Sequence, residues 1–164
     1  MSSSGPVRYI ESIRERYARL GYEPYRWYEA ENPPPFASLS KPLSEMRLGV
    51  LTTAGAYVKG QVAFHYKDDT SVREIPVESA DEDLRFSHLT ENYLVDPRRD
   101  PNCVLPLTAL RAARDTKQIG ELATSAISCM GGIYSQRRVR EELIPTVTNI
   151  FKRQQIDVAL LLPM

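Results

Sequence analysis

Apolar residues recur at spacings of three and four in "VRYIESIRERYARL" (7–20), where Val7, Ile10, Ile13, Tyr17 and Leu20 share one stripe. That period predicts an amphipathic helix, and Gly21 supplies its stop. The next stretch, "GYEPYRWYEAENPPPFASLSKPL", breaks the period with Pro24, Pro33, Pro34, Pro35 and Pro42. Prolines forbid a helix and favour extended chain. Tyr25, Trp27, Tyr28 and Phe36 are costly to leave in water, so an arm docked on the body of the domain is favoured over a free linker.

From residue 46 the texture changes. "RLGVLTTAG" reads as a buried strand entering a small-residue turn, and "LRFSHLT" (84–90) alternates as a second strand candidate. "PLTALRAARDTKQIGELA" (106–123) predicts a helix that opens on proline and breaks at Gly120. "TSAISCM" (124–130) is strand-like and runs into two glycines. "SQRRVREELIPTVTNIFKRQQ" places Val139, Leu143, Val147, Ile150 and Phe151 on one face, with Ser135 as N-cap and Pro145 as a kink or break. The final "VALLL" reads as an inner strand. Continuous apolar strands alternating with amphipathic helices predict a doubly wound α/β fold. Its sheet is mainly parallel and Rossmann-like, with helices on both faces. Residues 1–45 would form an N-terminal helix and Pro-rich arm. Residues 46–164 would form the α/β domain, incomplete at its C-terminus because the last strand has no following helix to cover it.

Composition narrows the class. Apolar residues make up 42% and charged residues 26% of 164, ordinary values for one globular domain. Lys plus Arg (21) balances Asp plus Glu (21), so no net field recruits nucleic acid or an anionic membrane. Arg137, Arg138 and Arg140 read as a solvated helix face. The start, "MSSSGPVRYIES", lacks the apolar run of a secretory leader, and no stretch approaches the ~18 apolar residues of a membrane span. Cys103 and Cys129 cannot make a disulfide framework. A cytoplasmic location is therefore expected.

Ligands of such sheets bind beyond the carboxyl ends of the strands. Four such ends can be read: Thr52–Thr53–Ala54–Gly55, Ser87–His88–Leu89–Thr90, Cys129–Met130–Gly131–Gly132, and the end of the chain itself. The first turn suits a carboxylate through its N–H groups and nearby Lys59, or is a tight turn that needs small residues. His88 at a strand end is a candidate acid–base group or a hydrogen-bonded structural residue; His65 lies in a polar connection. Arg73, in "DDTSVREIP", would grip a carboxylate or pair with a neighbouring aspartate. Cys129, ahead of two glycines and a helix start, sits where a thiol's pKa falls, unless it is buried and inert. A racemase-type pair of Cys103 with Cys129 has little support. No metal-ligand spacing, glycosidase carboxylate pair, nucleotide-binding GxGxxG or nucleophile elbow is present. The expected lining of the pocket is Thr52, Thr53, Gly55, Ser71, Arg73, His88, Asn102, Met130, Gly131 and Gly132, with no metal. The residues alone describe an α/β domain with a polar pocket and no catalytic machinery.

Five stretches in order resemble the B-subunit (selenoprotein B) family of glycine, sarcosine, betaine and proline reductases. They are "TTAGAYVKGQ", "DDTSVREIP", "FSHLTENYLVDPRRDPNCVLPLTALRAA", "IGELA" and "MGGI", and the resemblance runs from about Tyr22 to Met164. It implies a redox selenocysteine or cysteine followed by two residues and a cysteine, placed directly after a strand that reads like "DVALLLP". The chain would then stop at Met164 just before that motif, as when a UGA codon is read as a stop. It further implies reductive cleavage of a carbon–nitrogen bond in a small amino acid or amine, with partner reductase subunits or a homo-oligomer. Residues 1–164 contain no Cys-x-x-Cys, so the cofactor-like redox pair is expected outside this chain. Two other readings stand beside it: a non-catalytic binding or assembly subunit with a Rossmann-like pocket, and a nucleotide-binding module.

Overall fold

The computed structural model describes residues 8–24, 28–35 and 37–164. The chain divides into two compact units, Met1–Ser38 and Leu39–Met164. In the first, the striped segment forms helix α1 (Tyr9–Arg19), closed by a backbone turn in which Gly21 takes a left-handed φ of 79°. Tyr25, Trp27 and Phe36, on which the expectation of a docked arm rests, lie outside the described residues.

The second unit is a mixed α/β domain. Its elements are β1 (Arg47–Thr52), β2 (Ala56–Val58), β3 (Arg73–Pro76), β4 (Leu84–Phe86), α2 (Val95–Arg99), α3 (Leu107–Asp115), β5 (Glu121–Leu122), β6 (Ser125–Ser128), α4 (Gln136–Arg138), α5 (Ile144–Arg153) and β7 (Val158–Leu162). The central sheet is mostly parallel. β1 pairs in parallel with β5, β6 and β7, whereas β3 pairs antiparallel with β6. Backbone bonds show how one strand serves three partners. The carbonyls of Met46, Leu48 and Thr52 accept from Glu121, Ala123 and Cys129, so β5 and β6 run along one side of β1 as an interrupted strand. Arg47 O and Thr53 N face the other side, bonding Asp157 N and Leu162 O of the β7 segment.

β1 is apolar on both faces because both are covered. Val50 joins Ala126 and Leu107 in the main core cluster, with Leu110 of α3 and Leu162 of β7 packed against it. The adjacent Gly49 points to the opposite face, where the Ile156 side chain lies 3.0 Å from the position its Cβ would take. A larger residue there would displace the chain that leads into β7.

One expectation is corrected. The segment 84–90 does not enter the main sheet: β4 pairs antiparallel with β2 in a separate two-stranded ribbon. Among the described residues β7 pairs only with β1, and Leu161 is 62% exposed on one face of the sheet. A π turn (Val139–Leu143) interrupts the α-helical run just ahead of Pro145, which sits in the first turn of α5. Ser135 does cap α4, its hydroxyl accepting from Arg138 N. Arg137 and Arg138 pair with Glu141 and Glu142 on the helix surface.

Candidate functional site

The carboxyl ends of β1, β4, β6 and β7 are stitched together by short bonds. Thr53 N donates to Leu162 O at 3.1 Å, and Met164 N donates to Thr53 Oγ1 at 2.8 Å. Gly55 N donates to Cys129 O and its carbonyl accepts from Ser87 N, both at 3.0 Å. Ala54 bridges Met130. Gly55 must be glycine: its φ is +64°, and a Cβ would stand 2.0 Å from Ser87 O. That close crossing brings the ribbon's far end, and with it His88, onto the sheet.

His88 is 8% exposed. Its Nδ1 accepts from Thr90 N at 3.1 Å and lies 2.6 Å from Thr90 Oγ1, while Nε2 is buried without a partner. Burial pushes the His88 pKa below its ordinary value, so the ring is neutral at pH 7. In front of it stands Gly131. A Cβ there would lie 2.9 Å from His88 Nε2 and 3.0 Å from the carbonyl oxygens of Thr53 and Met164. Gly131 is thus a close crossing: any side chain there would collide with the unpartnered His88 Nε2 and with the backbone oxygens of Thr53 and Met164, which meet at one point. A second buried polar atom without a partner, Ser128 Oγ, lies on the last residue of β6.

The other anticipated residues have different employment. Thr52 is fully buried, its hydroxyl donating to Val104 O and accepting from Ala54 N. Met130 is buried, and Gly132 makes room for Leu89, whose Cδ2 would lie 2.8 Å from a Cβ. Arg73 spends its guanidinium on the carbonyls of Val62 and Ala63 and on Ser71 Oγ, and lies over the Phe64 ring. The aspartate-pair alternative is replaced by an Arg73 that organises the 59–72 loop. Ser71 also bonds Asp69, and Asp68 accepts from Tyr134 N and Ser135 N, tying that loop to the start of α4. Asn102 donates to Asp81 and Asp100 and accepts from Thr108 N ahead of α3. His65 is exposed and turned to Lys67.

Neither cysteine is a ready nucleophile. Cys129 is buried, and burial pushes its thiol up to about 11, which is the buried and inert alternative of the two that the sequence offers. The helix beyond it starts only at Gln136, too far along to stabilise a thiolate. Cys103 is raised by partial burial and then by Asp100 and Asp96. Among the described residues there is no group of three or more His, Cys, Asp or Glu able to hold a metal, and no helix long and apolar enough to cross a membrane. Two surface concavities lie elsewhere, one along α1 and one at the amino ends of the strands around Arg47, Glu121 and Gln154. Both are open and built from ion-paired or exposed side chains, so the orphaned donor marks the site better than concavity does.

The chain is similar to a proline reductase subunit. It is 30% identical over 129 residues to D-proline reductase subunit gamma of Acetoanaerobium sticklandii, covering 79% of this chain and 53% of that protein. The chain therefore spans about half the length of the curated relative it matches. No family model matches the chain, and no solved structure does. The relation supports a proline reductase-related family and consistency with a multi-subunit assembly.

Sequence reasoning missed Thr90 and the Met164 backbone. A hydroxyl two residues beyond a histidine is a local signal for Thr90, since such side chains and N–H groups turn back on their neighbours. The Met164 contact has no local signal, because it depends on β7 lying beside β1.

Proposed function

We propose that this chain builds the substrate-holding part of a reductase subunit that cleaves a carbon–nitrogen bond in a small amino acid or amine. The observation that carries the reading is the convergence of His88 Nε2, Thr53, Gly131 and Met164 at the carboxyl ends of parallel strands. Proline, the substrate named for the relative, is the first candidate. Glycine, sarcosine and betaine follow from the family resemblance. The redox group would be a selenolate or thiolate with a neighbouring cysteine. It would supply two electrons to the carbon–nitrogen bond, two protons would complete the products, and the pair would be oxidised to a selenenyl sulfide or disulfide. Neither Cys129 nor Cys103 suits that role, so the group would come from the chain that follows β7 or from a partner subunit. This chain's residues fit such a neighbour: the buried His88 ring is neutral and would not quench an anion.

The test starts at the gene. A UGA or cysteine codon beyond Met164, followed by two residues and a cysteine, is expected, and the longer protein should convert D-proline with a dithiol as reductant. A downstream sequence with neither feature, and no conversion, would overturn the reductase reading. The second reading, a binding or assembly subunit without its own redox centre, is favoured by the state of the two cysteines. It predicts stable co-purification with a larger catalytic partner.

A further inference from the structure

Helix α1 carries a surface that the strand-end site does not use. Ile10, Ile13, Tyr17 and Leu20 follow one another at spacings of three, four and three, the seam of a helix that packs along another helix. Ile10, Tyr17 and Leu20 are each more than half exposed. The Tyr22 ring meets Tyr17 edge-on at 5.9 Å and prolongs the seam past the helix end. A helix of 11 residues gains little from its own propensity, and its stability comes mostly from packing of its apolar face. This seam therefore calls for a cover.

The charges beside the seam say what kind. Glu11 and Glu15 lie on the outer face, where they pair with Arg8 and Arg19. Arg14 and Arg16 border the seam, one on each side, and among the described residues neither has an ion-pair partner. In paired helices such flanking positions meet the partner's charges. A second α1 would set arginine beside arginine in either orientation, so self-pairing is opposed. An anionic membrane surface favours a broad apolar face backed by Lys and Arg. Here the seam is narrow, and the opposite face carries Glu11 and Glu15.

We infer that α1 docks against an amphipathic helix of a partner protein, one whose apolar seam is flanked by Glu or Asp. Ile10, Ile13, Tyr17 and Leu20 meet that seam, and Arg14 and Arg16 meet its carboxylates. Apolar contact supplies the affinity, while the two arginines select the partner.

The probes are two synthetic helical peptides with the same Leu and Ile seam, one flanked by Glu and one by Lys. Binding to the full chain is followed by fluorescence anisotropy of the labelled peptide. The Glu-flanked peptide is expected to bind, and the Lys-flanked one about tenfold more weakly or worse. Exchanging both arginines, Arg14→Glu with Arg16→Glu, keeps helix propensity and should invert that order. Ile13→Ser should weaken the Glu-flanked peptide about tenfold or more. Added salt should weaken it as well. Equal affinity for the two peptides, or no inversion by the arginine exchange, would overturn the inference. So would three signs of another cover. They are sedimentation with phosphatidylglycerol vesicles in preference to the peptide, a dimer of the chain that Ile13→Ser dissociates, and a lower unfolding midpoint of the whole chain in Ile13→Ser. All are read on binding or stability, so a longer protein that cleaves no carbon–nitrogen bond would sink the reductase reading and leave this one standing.

Discussion

The two ends of the central sheet are built on opposite terms. At the amino end every charged or amide group named is engaged. Arg47 donates to Glu121 and to Gln154 O, and Asp157 accepts from Arg47 N and Lys41. The Gln154 amide is shared among Ser125 N, Ser125 Oγ and Thr124 Oγ1, and Glu74 ties Ser125 to Arg153. At the carboxyl end Gly131 lets the backbone pass close to His88, and the buried His88 Nε2 is left without a partner. Paired polar groups stabilise a fold, while an unpaired one is tolerated where a ligand completes it. The contrast separates the end that holds the strands from the end that can bind.

The largest effect tests how firmly the carboxyl end is assembled. Gly55→Ala would force a side chain into left-handed backbone and against Ser87 O. A loss of roughly 3 kcal/mol or more is expected, read by denaturant unfolding; an unchanged midpoint would show that the ribbon is not locked to the sheet there. The next effect belongs to the amino end. Gln154→Leu leaves the buried Ser125 N–H unpaired and should cost about 1–3 kcal/mol, read by the same unfolding measurement.

Much of this division was legible beforehand. β1 and β6 are short apolar runs between turn residues, Ser135 is an N-cap by residue type, and the strand-end rule directed attention to Thr53, Gly131 and His88. What was illegible depends on partners distant in sequence. "LRF" alternates equally well in a ribbon as in the main sheet, and only its pairing with Ala56–Val58 decides. Arg73 reads from the sequence as a carboxylate grip or an aspartate partner, since nothing local reveals that the carbonyls of Val62 and Ala63 curl back to meet it. Asn102 likewise serves Asp81, met only in the folded chain.

A smaller effect sharpens the comparison by its sign. His88→Asn, whose Oδ1 can take the place of Nδ1 and accept from Thr90 N, removes only the buried Nε2 that bonds nothing in the protein. Stability should then stay within about 1 kcal/mol of wild type or rise, whereas His88→Leu also unpairs Thr90 and should cost about 1–3 kcal/mol. A drop for His88→Asn as large as that expected for Gln154→Leu would mean that Nε2 holds the fold, and the two ends would not differ in kind.

The smallest effect is in pH, and it divides by window. Asp157 is held below its ordinary pKa first by the Arg47 N–H and then by Lys41; Glu74 is held down first by Arg153, with Ser125 helping. Both contribute stability above the unfolded carboxylate range and lose it as pH falls through their lowered values, from about pH 4.5 downward. His88 is also lowered, by burial, so below its unfolded value of about 6.5 the unfolded chain binds the proton that the folded one resists. Its contribution therefore fades in a separate, higher window. Melting temperature should fall in two stages on acidification, and His88→Leu should flatten the stage that begins below about pH 6.5 while leaving the lower one intact. Because the carboxylates are largely exposed, solvent screens their share, and the lower stage should shrink further in high salt while the upper one persists. A single salt-sensitive stage, unchanged by His88→Leu, would mean that the ring is solvated and that the carboxyl end carries no unsatisfied donor.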